Sequence, residues 1–157
     1  MQTPVEHGVE PALKGHLMKA IYTAEALATG EGRDGHGRTS DGKLDVDLAV
    51  PTEMGGSSAG TNPEQLFAVG YAACFHSAMR VVARREGANV DDSAVGAKVS
   101  IGDNGDGGFQ LAVELEITLP HLDPAEAQSI AEKAHQVCPY SNATRNNIDV
   151  TLTITDD

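Results

Sequence analysis

The sequence predicts an α+β fold with a mainly antiparallel sheet. Segments that alternate apolar and polar residues surround two segments with helical caps and helical spacing, in the order strands, helix, hairpin, helix and strand. The 157 residues are sufficient for one domain. We expect residues 18–157 to form that domain. Residues 1–17 contain prolines and show no hydrophobic period, so we expect them to be a flexible N-terminal extension.

Two strands and a glycine-rich loop are expected before the first helix. Residues 19–29 are typical of a strand that leads into a loop at residues 30–42. Residues 43–50 alternate strictly between apolar and polar side chains, which is the period of a half-buried strand. The apolar face of that strand consists of Leu44, Val46, Leu48 and Val50.

Residues 63–86 carry the strongest helix signal in the chain. Asn62 is a favourable N-cap, and Pro63 suits the first helical position, where a missing N–H costs nothing. The segment is apolar nearly all round as far as Arg80, which predicts a helix that is mostly buried. Gly87 is the expected stop.

A hairpin, a second helix and a last strand complete the predicted order. Residues 95–101 and 111–119 alternate on either side of a glycine-rich turn. The second helix begins after the Asp123 cap and ends before Pro139, which cannot continue a helix. We expect a turn at residues 140–145, followed by a strand. The apolar face of that strand consists of Ile148, Val150, Leu152 and Ile154.

The composition argues against several functional classes. With 11 basic and 23 acidic residues the formal net charge is −12, whereas binding to nucleic acids or anionic membranes requires clustered Lys and Arg. No apolar stretch reaches the ~20 residues that span a bilayer, and the N-terminus lacks the basic start and apolar run of a signal peptide. We therefore expect a cytoplasmic protein that binds neither nucleic acid nor membrane.

The only two cysteines, Cys74 and Cys138, are expected on inward-facing positions of the two helices. They are too few for a disulfide scaffold or a four-thiolate zinc site. Because both face inward, the two side chains can come into contact as metal ligands, as a redox pair or as ordinary core residues. A metal site would have to include His76 and His135, but Cys74 and His76 lie roughly 200° apart around a helix, so we expect no metal.

A redox pair needs a cysteine of low pKa, because the thiolate is the nucleophile. The arginines that follow Cys74 on the same helix, or Arg33 in the glycine-rich loop, would supply the positive charge, and Glu64 could anchor such an arginine. Glu64 and Cys74 are separated by ~15 Å along a straight helix. One arginine cannot reach both from a straight helix, so either the helix kinks at Gly70 or a second chain contributes Arg33 and Glu64.

Three motifs resemble the organic hydroperoxide resistance proteins (Ohr) of the Ohr/OsmC superfamily. They are GEGRDG at residues 30–35, TNPEQLFAVGYAACF at 61–75 and HQVCPYSNATR at 135–145. The resemblance covers about residues 18–155, and the run VCPYSNAT is similar to the Ohr branch rather than to the OsmC branch. It implies an OsmC-like fold in which antiparallel sheets wrap around two central helices of an intertwined homodimer.

The resemblance also implies a cysteine-based, thiol-dependent peroxidase without a bound cofactor. Cys74 matches the peroxidatic cysteine and Cys138 the resolving one, and the two form an intramolecular disulfide in each cycle. Arg33 matches the arginine that activates the thiolate, and Glu64 matches the carboxylate that orients it. The implied substrates are organic hydroperoxides, in particular those of fatty acids. The implied reductant is a dihydrolipoyl dithiol, free or on a lipoylated protein.

The apolar helix around Cys74 suits a lipid-like substrate. The candidate pocket residues are Leu66, Phe67, Phe75 and Tyr140, although side chains of this kind often belong to the ordinary core. Two other classes remain open at this point. A non-catalytic thiol redox sensor or binding module would form the disulfide but turn over slowly, and a metal-binding protein would hold an ion at the cysteines.

Overall fold

The computed structural model describes residues 18–156, so the extension expected at residues 1–17 lies outside the described part of the chain. The elements are β1 (Ala26–Thr29), β2 (His36–Thr39), β3 (Asp45–Asp47), α1 (Pro63–Arg85), β4 (Ala94–Asp103), β5 (Phe109–Thr118), α2 (Pro124–Val137), α3 (Pro139–Thr144) and β6 (Val150–Thr155). One three-stranded sheet has the order β1-β2-β3 and the other β4-β5-β6. The predicted α+β class is confirmed.

The helix α1 begins and ends where the sequence predicts. The side chain of Asn62 accepts a hydrogen bond from the backbone N–H of Gln65 at 2.8 Å, and Gly87 follows the last turn with a φ of +70°. Among the described residues, α1 is the one helix long and apolar enough to cross a membrane by length and composition, a test that core helices of soluble proteins also pass.

The prediction that α1 is mostly buried is only half right. One face of α1 packs against β4 and α2, and it includes the fully buried Tyr71 and Phe75. The opposite face is open, and the side chain of Val69 is 70% exposed there. The helix therefore exposes the apolar side chain of Val69 on a face that residues 18–156 leave uncovered.

The second sheet forms the wall against which the helices pack. β4 and β5 are an antiparallel hairpin, as predicted, with Val99 opposite Val113. β6 instead pairs with β5 in parallel, because the chain returns through α2 and α3 before it enters the sheet. The predicted sheet was mainly antiparallel, and this parallel edge is the exception. On β5, the inward-facing residues Leu115 and Ile117 are fully buried.

The segment after α2 is a correction to the sequence prediction. Asp123 caps α2 through the N–H of Glu126 at 2.9 Å, and the helix ends at Val137 as expected. Residues 140–145 were expected to form a turn, but α3 occupies Pro139–Thr144. Pro139 ends one helix and also suits the first position of the next.

The first sheet is smaller than predicted. The strand expected at residues 19–29 is limited to β1, and the strand expected at 43–50 is limited to β3. β1 finds its hydrogen-bonding partner only over Ala26–Thr29, where it pairs with β2. All four residues of β1 are exposed, since no other described element of the chain covers this sheet.

Candidate functional site

The two cysteines meet where α1 passes the junction of α2 and α3. Cys74 stands in the middle of α1, and Cys138 lies between Val137, the last residue of α2, and Pro139, the first of α3. Their Sγ atoms are 3.5 Å apart, and both cysteines are free thiols. Cys138 has no exposed surface, whereas Cys74 is only partly buried. Of the two cysteines, Cys74 is therefore the one with exposed surface.

The surroundings of Cys74 do not favour its thiolate within one chain. Burial raises the pKa of the Cys74 thiol, and the neighbouring thiol of Cys138 raises it further. A hydrogen bond from the backbone N–H of Tyr140, in the first turn of α3, acts in the opposite direction and lowers it. Among residues 18–156, none of the groups that shift this pKa is a cation.

A second half of the site is formed by Arg33 and Glu64. The guanidinium donates two parallel hydrogen bonds to the carboxylate, at 2.9 and 2.8 Å, so the pair is bidentate. The hydrogen bond lowers the pKa of Glu64 and raises that of Arg33. The side chain of Glu64 is 13% exposed and that of Arg33 is 38% exposed, so Glu64 fixes Arg33 while Arg33 keeps an open side.

The glycine-rich loop explains how Arg33 reaches this position. Arg33 lies in a short 3-10 helix, Gly32–Asp34, and the Asp34 carboxylate accepts a hydrogen bond from the N–H of Val50 at 2.9 Å. A Cβ on Gly35 would lie 2.0 Å from the carbonyl oxygen of Thr29. Only glycine permits this close approach, which folds the loop back onto β1.

The cysteine pair and the arginine pair are separated within the chain. α1 is one continuous α-helix from Pro63 to Arg85, so Glu64 and Cys74 stay ~15 Å apart along it. The helix continues through Gly70 without a break. A Cβ on Gly70 would lie 2.7 Å from the hydroxyl of Tyr140, so this glycine instead allows α3 to pack closely against α1.

Arg33 and Glu64 open into an apolar cleft of about 890 Å³. Of the four candidate pocket residues, Phe67 and Tyr140 line this cleft. Phe75 has no exposed surface and lies in the core, and Leu66 is outside the cleft lining. The other apolar side chains in its wall come from the β4–β5 hairpin and the segment before β6; they are Ile101, Phe109, Leu111 and Ile148.

Comparison with known proteins identifies the family. A family model described as "OsmC-like protein" matches residues 55–153. The chain is 54% identical to the organic hydroperoxide resistance protein of Xanthomonas axonopodis pv. citri over 138 residues, which are 87% of this chain and 96% of the relative. It is 44% identical to organic hydroperoxide resistance protein OhrB of Bacillus subtilis, over 85% of this chain and 97% of the relative.

The chain belongs to the organic hydroperoxide resistance (Ohr) proteins of the OsmC-like family. The crystal structure of an Ohr protein from Elizabethkingia anophelis superposes with a TM-score of 0.84 at 48% identity, covering 89% of this chain and all of that one. The OsmC-like fold predicted from the three motifs is therefore confirmed. The matched family model begins after Arg33, but the full-length Ohr relatives extend over most of the chain.

The histidines near the cysteines have partners other than a metal. His76 Nε2 lies 2.9 Å from Ser93 Oγ, and His135 Nδ1 lies 2.7 Å from Ser141 Oγ. Burial lowers the pKa of both imidazoles. Within residues 18–156, no group of three or more His, Cys, Asp or Glu side chains is arranged to hold a metal ion.

Sequence reasoning missed two polar clusters in this Ohr chain. His36 bridges the carboxylates of Asp45 and Asp47 across β2 and β3, and these hydrogen bonds raise the pKa of His36. Tyr71 and Ser141 form a buried network with groups of α2 and α3 beside the cysteines. The alternation that puts Asp45 and Asp47 on one face of a strand was a usable sequence signal for the first cluster. The second cluster joins residues 70 positions apart, so it leaves no local signal in the sequence.

Proposed function

We propose that this Ohr protein is a thiol-dependent peroxidase that reduces organic hydroperoxides to alcohols. The observation that carries the proposal is the 3.5 Å separation of two free thiols, one partly exposed and one fully buried. This asymmetry suits a redox pair in which the exposed thiol reacts with the oxidant and the buried thiol then reacts with the oxidised sulfur of its partner. The names of the relatives support a role in peroxide detoxification.

The proposed cycle has three balanced steps. The Cys74 thiolate attacks one oxygen of the peroxide, the O–O bond breaks, and an alcohol leaves once it has taken up a proton. The resulting sulfenic acid condenses with the Cys138 thiol, so that an S–S bond forms and water leaves. An external dithiol then reduces the disulfide by two thiol–disulfide exchanges and is itself oxidised.

Arg33 is proposed to activate Cys74 across a dimer interface. Burial raises the pKa of Cys74, so activation requires a cation, and the described residues of the same chain place none beside the sulfur. The continuous helix keeps Glu64 and its partner Arg33 away from Cys74 of the same chain. The face of α1 that exposes Val69 and the exposed Leu27 on β1 are apolar surfaces that a second copy would cover. The proposed state is therefore an intertwined homodimer.

The guanidinium would then act on both sulfur and substrate. Its permanent charge stabilises the thiolate, and its planar fork can donate hydrogen bonds to the peroxide oxygens. The bidentate contact with Glu64 fixes the orientation of that fork. The apolar wall of the adjoining cleft favours hydroperoxides with long hydrocarbon chains, such as those of fatty acids. We propose a lipoyl dithiol as reductant and the cytoplasm as the site of action, without a bound cofactor.

A steady-state assay with purified protein tests this function. Peroxide consumption is measured with linoleic acid hydroperoxide, cumene hydroperoxide and hydrogen peroxide, each with dihydrolipoamide and, in parallel, with a thioredoxin system. We expect the organic hydroperoxides to give higher kcat/KM than hydrogen peroxide, and dihydrolipoamide to sustain turnover. One burst without steady turnover would instead indicate a thiol sensor. Turnover that persists in Cys74→Ser would refute the assignment.

A further inference from the structure

A buried network of hydroxyl and imidazole groups lies beside the two cysteines. The hydroxyl of Tyr71 is 2.9 Å from Ser141 Oγ and 3.0 Å from Thr144 Oγ1. Ser141 Oγ is also 2.7 Å from His135 Nδ1. Tyr71 and Ser141 have no exposed surface, so water cannot replace a hydrogen bond that is lost there.

Each member of the network stands close to one of the sulfurs along the chain. Tyr71 precedes Cys74 by three residues on α1. His135 precedes Cys138 by three residues at the end of α2, and Ser141 follows Cys138 by three on α3. Helical residues three apart lie on neighbouring parts of the same face. The network therefore joins the three helices that carry or flank the thiols.

The junction at Cys138 is the place where α3 could move relative to α2. The backbone of Cys138 leaves the helical region, with φ −60° and ψ 125°. Its N–H is bonded to the carbonyl of Ala134 in α2, and its carbonyl accepts from the N–H of Asn142 in α3. Across this break, the Ser141 side chain bonds to His135 on α2 and to Tyr71 on α1.

We propose that the Tyr71–Ser141–His135 network is a positioning device for the resolving step. It holds α3 against α1 and α2 so that Cys138 Sγ remains close to Cys74 Sγ. The sulfurs are 3.5 Å apart, and a disulfide requires about 2.05 Å, so an approach of only about 1.5 Å is needed. These residues do not touch the reacting atoms. The proposal rests on the proposed function, because it takes Cys138 as the resolving cysteine.

The step that should respond is the condensation of the sulfenic acid with Cys138. In that step the S–O bond of Cys74 breaks, the S–S bond forms, and the hydroxyl leaves as water with the proton of the Cys138 thiol. If α3 is released, Cys138 spends less time within bonding distance and this step slows. The earlier attack of Cys74 on peroxide forms no bond to Cys138, so its rate should change much less than the rate of the condensation.

The test separates the two steps in stopped-flow experiments on the full chain. Tyr71→Phe and Ser141→Ala each remove one hydroxyl of the network. Thr155→Val is the matched control, because it removes a hydroxyl 2.9 Å from Thr118 Oγ1 in the β5–β6 pair. One equivalent of cumene hydroperoxide is added. Sulfenic acid formation is followed with a dimedone-type trap and disulfide formation by mass spectrometry of quenched samples.

We expect disulfide formation to slow about tenfold in both network variants, with a much smaller change in the rate of sulfenic acid formation. The equilibrium with a reference dithiol should shift about tenfold towards the free thiols, which corresponds to about 30 mV in reduction potential. Thr155→Val should change neither quantity. His135→Asn, whose side-chain amide can accept or donate a hydrogen bond in place of Nδ1, should retain the rate that His135→Ala loses.

Three results would count against the inference. Equal disulfide rates in the wild type and both variants would show that the network does not position Cys138. Slowing of both steps to the same extent, or the same loss in Thr155→Val, would show a general structural effect. A wild type that consumes peroxide at Cys74 but never forms the Cys74–Cys138 disulfide would overturn the proposed function together with this inference.

Discussion

Replacing Glu64 by Gln separates the structural from the chemical role of the arginine pair. The substitution keeps the size of the side chain but removes its charge and one of the two acceptors for Arg33. Because Arg33 is 38% exposed, solvent screens the pair, and we expect a loss of only about 0.2–1 kcal/mol in the free energy of unfolding. For a chain of this size that is at most about 2–4 °C in Tm.

The expected effect on catalysis is much larger. A guanidinium that is no longer hydrogen-bonded at both nitrogens is not held in its orientation towards the sulfur and the peroxide. A displacement of about 1 Å can lower the rate about 10²-fold. Glu116→Gln is the control, since Glu116 also forms an ion pair, with Lys98 on the β4–β5 hairpin, and lies outside the cleft lining. We expect it to resemble Glu64→Gln in urea unfolding and the wild type in kcat/KM.

The pH dependence of stability gives a second check on the same variant. The pKa of Glu64 is lowered in the folded protein by its hydrogen bonds to Arg33. The stabilisation is therefore complete above the unfolded carboxyl pKa of about 4.3 and is lost as the pH falls through the folded value. Wild type and Glu64→Gln should converge in stability at acid pH. Unchanged kcat/KM in Glu64→Gln, with this pH signature present, would refute the orienting role of Glu64.

Other predictions concern the cysteines, Arg33 and its loop. Cys74→Ser should abolish peroxidase activity, whereas Cys138→Ser should consume about one peroxide per subunit, counted by peroxide titration, without forming the internal disulfide. Arg33→Ala should raise the pKa of Cys74 in a thiolate absorbance titration, and an unchanged titration would remove Arg33 from the mechanism. Gly35→Ala should distort the loop, because its Cβ would lie 2.0 Å from a backbone oxygen, and should lower kcat/KM as Arg33→Ala does. Full activity in Gly35→Ala would show that the loop adapts without moving Arg33.

Local signals account for the parts of the fold that were predicted correctly. Asn62 and Asp123 cap the helices that they were expected to cap, because a cap depends on a few neighbouring residues. The β4–β5 hairpin follows from alternation on both sides of one turn. The short helix after Pro139 was missed because proline both ends and begins helices, and the sequence alone does not distinguish the two.

Tertiary contacts determine the features of the fold and of the site that local sequence signals did not predict. Phe67 and Phe75 are similar residues on one helix, yet the first lines the cleft and the second is fully buried, and the sequence of α1 does not show which of the two the rest of the fold covers. The motifs indicated Arg33 and Glu64 as a pair, and the structure brings them together. Tyr71 and Ser141 carried no such signal, because a tyrosine and a serine are ordinary residues until the fold joins them.

The complete burial of Cys138 determines which sulfur the reductant attacks when the disulfide of the proposed cycle is reduced. Once the disulfide exists, an incoming thiolate can reach only a sulfur that faces solvent, and Cys138 does not. The reductant should therefore attack Cys74 and form the mixed disulfide there. Cys138 should be the leaving group, released at a position with no exposed surface. An alkylating reagent added to the reduced protein should label Cys74 first for the same reason. In the proposed cycle, the oxidant and the reductant should therefore both react at Cys74, one after the other.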